Sequence, residues 1–140
     1  MREILFRAKR VKKYCATQDW TYGVPFIDHE GDCIFKTSAS EYVVDPETVG
    51  QYTGLTVNGT KIFEGDIVKA TFSYNNFTQD RVERRTATYE VRYNEKYCYF
   101  YLAKRQNNML FDGNWTYCLR EIEVIGNIHD NPELLEGGTK

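Results

Sequence analysis

Turn signals punctuate the chain so closely that long helices have no room to form. In Val57-Asn58-Gly59-Thr60-Lys61-Ile62 an Asn-Gly pair lies between apolar residues, the strongest short-range signal for a hairpin. Phe63-Glu64-Gly65-Asp66 makes a second turn and launches a strand over Ile67 to Tyr74. There Val68, Ala70, Phe72 and Tyr74 share one face, and Lys69, Thr71 and Ser73 share the other. Thr86 to Tyr93 alternates as cleanly, with Ala87, Tyr89, Val91 and Tyr93 together. Asn94-Glu95-Lys96 turns the chain and Tyr97 to Lys104 returns, setting Cys98, Phe100 and Leu102 against Tyr97, Tyr99 and Tyr101. The stretch between these strands, Asn75 to Arg85, is polar and charged. It reads as a long exposed loop with a basic end at Arg81, Arg84 and Arg85.

The flanking segments follow the same habit. Arg2 to Ala8 reads as a first strand with Ile4, Phe6 and Ala8 on one face, followed by a solvated basic turn of Lys9, Arg10, Lys12 and Lys13. Trp20 to Phe26 is aromatic-rich and reads as a short edge segment ending near Pro25. His29-Glu30-Gly31-Asp32 has turn composition, Cys33 to Ser38 alternates again, and Ser40 to Val44 leads into Asp45-Pro46. Further on, Asp112-Gly113-Asn114 marks a turn before Trp115 to Cys118. Leu119 to His129 is the last strand, with Ile122, Val124 and Ile128 on one face. Asn131 as cap and Pro132 in the first turn open a short terminal helix. Eleven tyrosines and eight phenylalanines reinforce strands, because aromatic side chains fit a pleated, half-buried surface. The expected fold is mostly β: a small barrel or sandwich-like single domain over residues 1–135, with short helical additions and a frayed tail over 136–140.

Bulk properties narrow the function classes. A chain of 140 residues can bury a real core. Its formal net charge of −2 supplies no global field for a polyanion. No basic-flanked apolar run opens the chain, and no stretch approaches the roughly 18 apolar residues of a membrane span. The expectation is a cytoplasmic protein without a membrane partner. Cys15, Cys33, Cys98 and Cys118 lack the close pair that structural zinc sites use, and read as buried thiols in a reducing compartment. Without a secretory signal, the Asn-x-Ser/Thr matches at Asn58, Asn76 and Asn114 are chance.

At three places the sequence stops being generic. These are Met1-Arg2-Glu3-Ile4-Leu5-Phe6-Arg7-Ala8, then the block from Val43 to Leu55 that continues through Ile62-Phe63-Glu64-Gly65-Asp66-Ile67-Val68, and the closing Ile122 to Leu135. Together they resemble the YopX family of phage and prophage proteins, from one end of the chain to the other. The first third beyond the opening, and Asn75 to Arg85, depart from that pattern. The resemblance implies a mostly-β accessory protein, phage-encoded and acting in the host cell, and it brings no catalytic residues with it. Physically, Gly50 and Gly54 suit close packing or positive φ. Asp66 after Gly65 can bond local backbone, and Gly126-Asn127 within a strand suggests a bulge or a close neighbour.

Few residues suggest chemistry. There is no phosphate-cradling glycine loop and no nucleophile motif with a linked histidine. His29 and His129 read as surface histidines. Asp45, Glu47, Glu64 and Asp66 would bind magnesium or act as acid and base only if the fold gathered them, and turn or cap roles account for them equally well. No metal, cofactor or small-molecule substrate is expected, and binding is favoured over catalysis. The first binding signal is the stripe Tyr97, Tyr99 and Tyr101, read as an interface for a homo-oligomer or a protein partner, with edge strands inviting self-pairing. A stripe packed inward against Trp20 or Trp115 fits the same residues. The alternative is nucleic-acid binding, with Arg81, Arg84, Arg85, Lys104 and Arg105 on phosphates and the tyrosines stacking bases. The likeness of Gly65 to Lys69 to small SH3-like barrels gives that alternative a fold-level hint. A hydrolase stands third and would need a compact site of buried carboxylates near Asp66.

Overall fold

A computed structural model describes residues 3–13, 19–104, 108–109 and 119–137. The fold is mostly β, in two antiparallel sheets. By contacts the chain clusters into two compact units, Met1–Leu55 and Thr56–Lys140. Of the two expected architectures, the closed barrel does not form: the strand order of each sheet is linear and ends on an edge.

The first unit holds β1 (Phe6–Lys9), β2 (Trp20–Ile27), β3 (Cys33–Lys36), β4 (Glu41–Val43) and most of β5 (Gly50–Val57). The sheet runs β4-β3-β2-β1-β5 and passes through the Asn58-Gly59 hairpin to β6 (Thr60–Phe63). Asn58 and Gly59 both have positive φ, 51° and 79°, as the favoured two-residue hairpin turn requires. Ala8, Cys33, Phe35 and Val44 form the core of this unit, with Phe6 and Val49 against it. A 3-10 turn over Pro46–Thr48 is capped by Asp45, whose Oδ1 accepts from the Glu47 N–H at 3.0 Å. Thr48 ties that turn to β1: its hydroxyl accepts from the Lys9 N–H at 2.8 Å and donates to the Asp45 carbonyl at 2.7 Å.

Two expectations change in this unit. The first strand begins at Phe6, and Ile4, placed by alternation on the buried face, is exposed. Nor is Trp20–Ile27 an edge strand. Its first half pairs with β1 (Lys9↔Trp20 to Phe6↔Gly23) and its second half with β3 (Val24↔Lys36 to Ile27↔Cys33). Pro25 falls in the half that β3 alone flanks, where a missing N–H is tolerated.

The second unit holds β7 (Asp66–Asn76), β8 (Arg81–Asn94), β9 (Tyr99–Ala103), β10 (Asn108–Met109), β11 (Leu119–Asn127) and α1 (Glu133–Gly137). The sheet order is β10-β9-β8-β7-β11. Val68, Ala70, Phe72, Tyr89, Val91, Leu102 and Ile122 are buried on one face, with the Phe72 and Tyr89 rings edge-on at 5.8 Å. Gly65 and Asp66 form a structural knot. Gly65, at φ +91°, donates its N–H to the Val91 carbonyl at 2.8 Å and accepts from the Ile128 N–H at 2.9 Å. The buried Asp66 carboxylate accepts from the Phe63 N–H at 2.8 Å and closes the turn. The register slips between Val124 and Gly126. A Cβ on Gly126 would lie 2.6 Å from Asn131 Oδ1, so a larger residue there must displace the Asn131 and Leu134 side chains. Asn127 Oδ1 then accepts from the His129 and Asp130 N–H groups at 3.0 and 2.9 Å, leading into α1.

Four sequence expectations are corrected here. Asn75 to Arg85 is no loop: β7 and β8 stay in register from Ile67↔Glu90 out to Asn76↔Arg81, leaving a turn of Phe77 to Asp80. The outer end of this ribbon carries no apolar face, so alternation had nothing to reveal. Tyr97 lies in the turn before β9, because Cys98 takes φ +58° and interrupts the strand. Cys98 is exposed, whereas Cys33 is buried. Asn131 does not turn its side chain to the helix; its Oδ1 accepts from the Asn127 N–H at 3.4 Å. Cys15, Arg105, the 112–114 turn, Trp115 and Cys118 lie outside the described residues. Among the described residues no helix is long and apolar enough to cross a membrane.

Candidate functional site

The tyrosine stripe lies on the face of the second sheet opposite Val91 and Leu102. Pairing of Arg92 with Tyr101 and of Asn94 with Tyr99 puts these residues on one surface. Tyr97, exposed at 63%, stacks on Tyr99 with ring centroids 6.5 Å apart, and Tyr99 meets Tyr101 edge-on at 6.2 Å. Tyr99 and Tyr101 are half-buried. Arg92 Nη2 sits 3.1 Å from Glu90 Oε1. That bond, with a further one to Tyr101, holds the guanidinium more firmly in its charged form. The stripe is therefore partly occupied by its own neighbours. Trp20, offered as an inward packing partner, lies in the first unit under Arg7, whose Cζ is 4.6 Å from its ring.

The three arginines do not converge. Unbroken register along β8 puts Arg81 and Arg85 on the face of Tyr89, and Arg84 on the opposite face with Val82 and Thr86. Arg81 is engaged by Glu83 at 3.0 Å. Arg85 lies close enough to Tyr89 for its charge to offset part of the upward push that burial gives the phenol. Arg84 shares a face with Tyr101, but from position 84 to Tyr101's partner at 92 the strand runs about 27 Å at about 3.4 Å per residue. Basic and aromatic groups thus occupy separate ends of one surface. Between them lies a groove of about 610 Å³ lined by Asn58, Lys69, Thr71, Thr86, Glu121 and Glu123, with the two threonine hydroxyls 2.7 Å apart.

Two of the four carboxylates singled out by sequence, Asp45 and Asp66, serve the backbone. Asp45 caps its 3-10 turn, and Asp66 is aimed at the Phe63 N–H. A cluster that sequence reasoning missed is Asp28, Glu30 and Asp32 in the β2–β3 turn, whose ligand atoms lie within 4.8 Å of one another. Asp28 Oδ1 accepts from the Glu30 and Asp32 N–H groups at 3.0 and 2.9 Å, which accounts for its position as a turn former. His29 reaches Glu30 at 3.8 Å with both side chains exposed.

Sequence reasoning also missed the outer face of β2. Tyr22, Val24 and Phe26 alternate along the strand and are exposed at 48, 55 and 41%. On the opposite face Thr21 and Gly23 are buried and Pro25 is half-buried. Gly23 is pressed onto β3, where an added Cβ would come under 3.0 Å from the Lys36 carbonyl oxygen. Here the usual pattern is inverted, with small residues in and large apolar residues out. The signal available in the sequence was that glycine, flanked on both sides by large apolar residues.

Comparison with known proteins adds one finding. No curated protein and no solved structure matches the chain. The family model described as YopX protein matches residues 5–136, nearly the whole chain, and on that match the protein belongs to the YopX family.

Proposed function

We propose that this YopX-family protein acts by binding other protein surfaces, its own among them, as an accessory protein of a phage or prophage in the host cytoplasm. The outward stripe Tyr22, Val24 and Phe26 carries this reading, because contiguous apolar side chains left in water mark contact surfaces. At these exposures the three side chains present on the order of 200 Å² of apolar area, a gross gain of about 5 kcal/mol if covered. Association costs at least about 4 kcal/mol, so the stripe must be the centre of a larger interface. Sedimentation velocity of the wild type and of Val24→Lys tests this at low and high salt. An apolar contact persists in salt and is weakened by the lysine. A wild type that stays monomeric, with no partner bound at β2, refutes it.

A second reading is nucleic-acid binding through the β7–β8 ribbon, since the major groove admits a two-stranded ribbon and this one carries Arg81, Arg84 and Arg85. Fluorescence anisotropy of labelled oligonucleotides at two salt concentrations decides it. Saturable, salt-sensitive affinity that falls on replacing Arg84 and Arg85 by alanine would raise it to first place.

A further inference from the structure

The groove on the outer face of the second sheet owes its shape to side-chain length. Across β11, β7 and β8 one row runs Glu121, Thr71 and Thr86, and the next runs Glu123, Lys69 and Thr88, each residue opposite its neighbour in the ladder. Neighbouring strands are about 4.8 Å apart, and residues two apart on a strand are separated by about 6.8 Å. The short threonines at 71 and 86 therefore form a floor, and the longer Glu121, Glu123 and Lys69 stand around it as walls. Asn58, in the hairpin turn between β5 and β6, completes the lining. A volume of about 610 Å³ falls within the roughly 300–1,000 Å³ of small-molecule sites.

Floor and walls differ in the hydrogen bonds they offer. The two threonine hydroxyls are 2.7 Å apart, so one proton lies between them, and the second proton and the remaining lone pairs are left for a ligand. The carboxylates only accept, the Lys69 ammonium only donates, and the Asn58 amide does both. Lys69, Glu121 and Glu123 are all exposed. A polyanion entering the groove would meet two carboxylates, and a lone cation would meet Lys69 directly opposite Glu123. An apolar ligand would strip water from these groups without replacing its hydrogen bonds. A hydroxyl suits every one of them, because it donates to a carboxylate and accepts from an ammonium. Several hydroxyls at fixed spacing are the chemistry of a sugar.

We infer that this groove binds a neutral saccharide, its hydroxyls held by Glu121, Lys69 and the Thr71–Thr86 pair. None of the β2 stripe takes part, so a saccharide site stands or falls apart from the protein contact. Held by hydrogen bonds alone, the sugar should bind weakly, with a dissociation constant on the order of 1 mM.

The test is titration of the isotope-labelled full chain with glucose, galactose, N-acetylglucosamine, maltose and cellobiose, read by amide shifts. At least one sugar should give saturable shifts at Lys69, Thr71, Thr86 and Glu121. Glu121→Gln should weaken binding about fivefold, because a charged acceptor makes the stronger bond. Thr71→Val removes a hydroxyl while keeping a β-branched side chain in the strand, and should weaken it comparably. Neither change touches the buried face, so both variants should keep the wild-type spectrum away from the groove. Free glycine and arginine are titrated alongside. Saturable shifts at the groove with either of these and with no sugar would assign it to a charged ligand and overturn the saccharide. Sugar binding that neither variant weakens would place the sugar elsewhere and overturn the groove. A wild type that none of these sugars shifts at about 100 mM, some hundredfold above the expected constant, overturns the inference too.

Discussion

Replacing Gly23 by alanine is the perturbation whose outcome most directly tests how β2 is held. A methyl group at an ordinary strand position replaces glycine with a gain of about 0.5–1 kcal/mol, because glycine loses more freedom on folding. At Gly23 the added Cβ would lie under 3.0 Å from the Lys36 carbonyl oxygen and 3.0 Å from its carbonyl carbon. Carbon contacts prefer about 3.5–4.0 Å, so β3 must retreat by a sizeable fraction of an ångström. The obstacle is backbone within a paired ladder and cannot rotate aside. Overpacking of this kind costs about 1–3 kcal/mol, and after the entropic gain the variant should be destabilised by about 1–2 kcal/mol. Urea unfolding would show it as a lower midpoint with unchanged slope. Gly31 supplies the control: its φ is +88° with nothing within 4 Å of an added Cβ. Asparagine, which tolerates that conformation, should therefore be nearly neutral at 31 and worse than alanine at 23. Equal or greater stability of Gly23→Ala would refute the close approach, and with it the reason that Tyr22, Val24 and Phe26 face outward.

Three further outcomes follow from particular contacts. Asp66→Ala removes the acceptor of the buried Phe63 N–H and should cost about 1–3 kcal/mol in urea unfolding, with Asp66→Asn milder because an amide oxygen can still accept. Burial raises the Tyr89 phenol, with Arg85 pulling it partly back. The folded state therefore holds that proton more tightly than the unfolded chain. Its contribution is present below the ordinary phenol value of about 10 and is lost as pH climbs through the folded value; Tyr89→Phe should flatten that alkaline decline in the thermal midpoint. Thiol titration of the native protein should lose a fast-reacting group in Cys98→Ser and none in Cys33→Ser, since Cys98 is exposed whereas burial raises the Cys33 thiol.

Where local chemistry decides structure, it was legible. Asn58-Gly59 can close its hairpin because both residues accept positive φ, and Thr86 to Tyr93 alternates because one face meets a core. Gly65-Asp66 and Gly126-Asn127 are readable as turn and bulge because glycine and a short polar side chain have few other uses. The ribbon beyond Phe72 was not legible. From Arg81 to Thr86 the side chains on both faces are mostly exposed, so hydrophobic periodicity vanishes while backbone pairing continues. Nor was β2, where Thr21 and Gly23 are buried and the large residues are not, because a periodic pattern shows that two faces differ without saying which is inside. Tyr97 was misplaced by one residue's backbone, the positive φ of Cys98, at a cysteine that gives no warning of it.

The same geometry bears on the two binding readings. Nucleic-acid binding drew its force from arginines and tyrosines acting together, yet their ends of the surface lie about 27 Å apart. A short single strand cannot stack on Tyr101 while its phosphates meet Arg84. Without the tyrosines, the ribbon offers three cations against the carboxylates of Asp80 and Glu83, and Arg81 is already held by Glu83. Three phosphate contacts would give a salt slope near −2.7, about fortyfold in affinity between about 50 and 200 mM; two would give about twelvefold. Either is small beside proteins whose affinity depends on polyanions. A protein contact needs no such convergence. The side chains of Tyr22, Val24 and Phe26 on β2 offer exposed apolar area at a single place on the first sheet. Apolar area of that kind is worth about 25 cal/mol per Å² when it is covered.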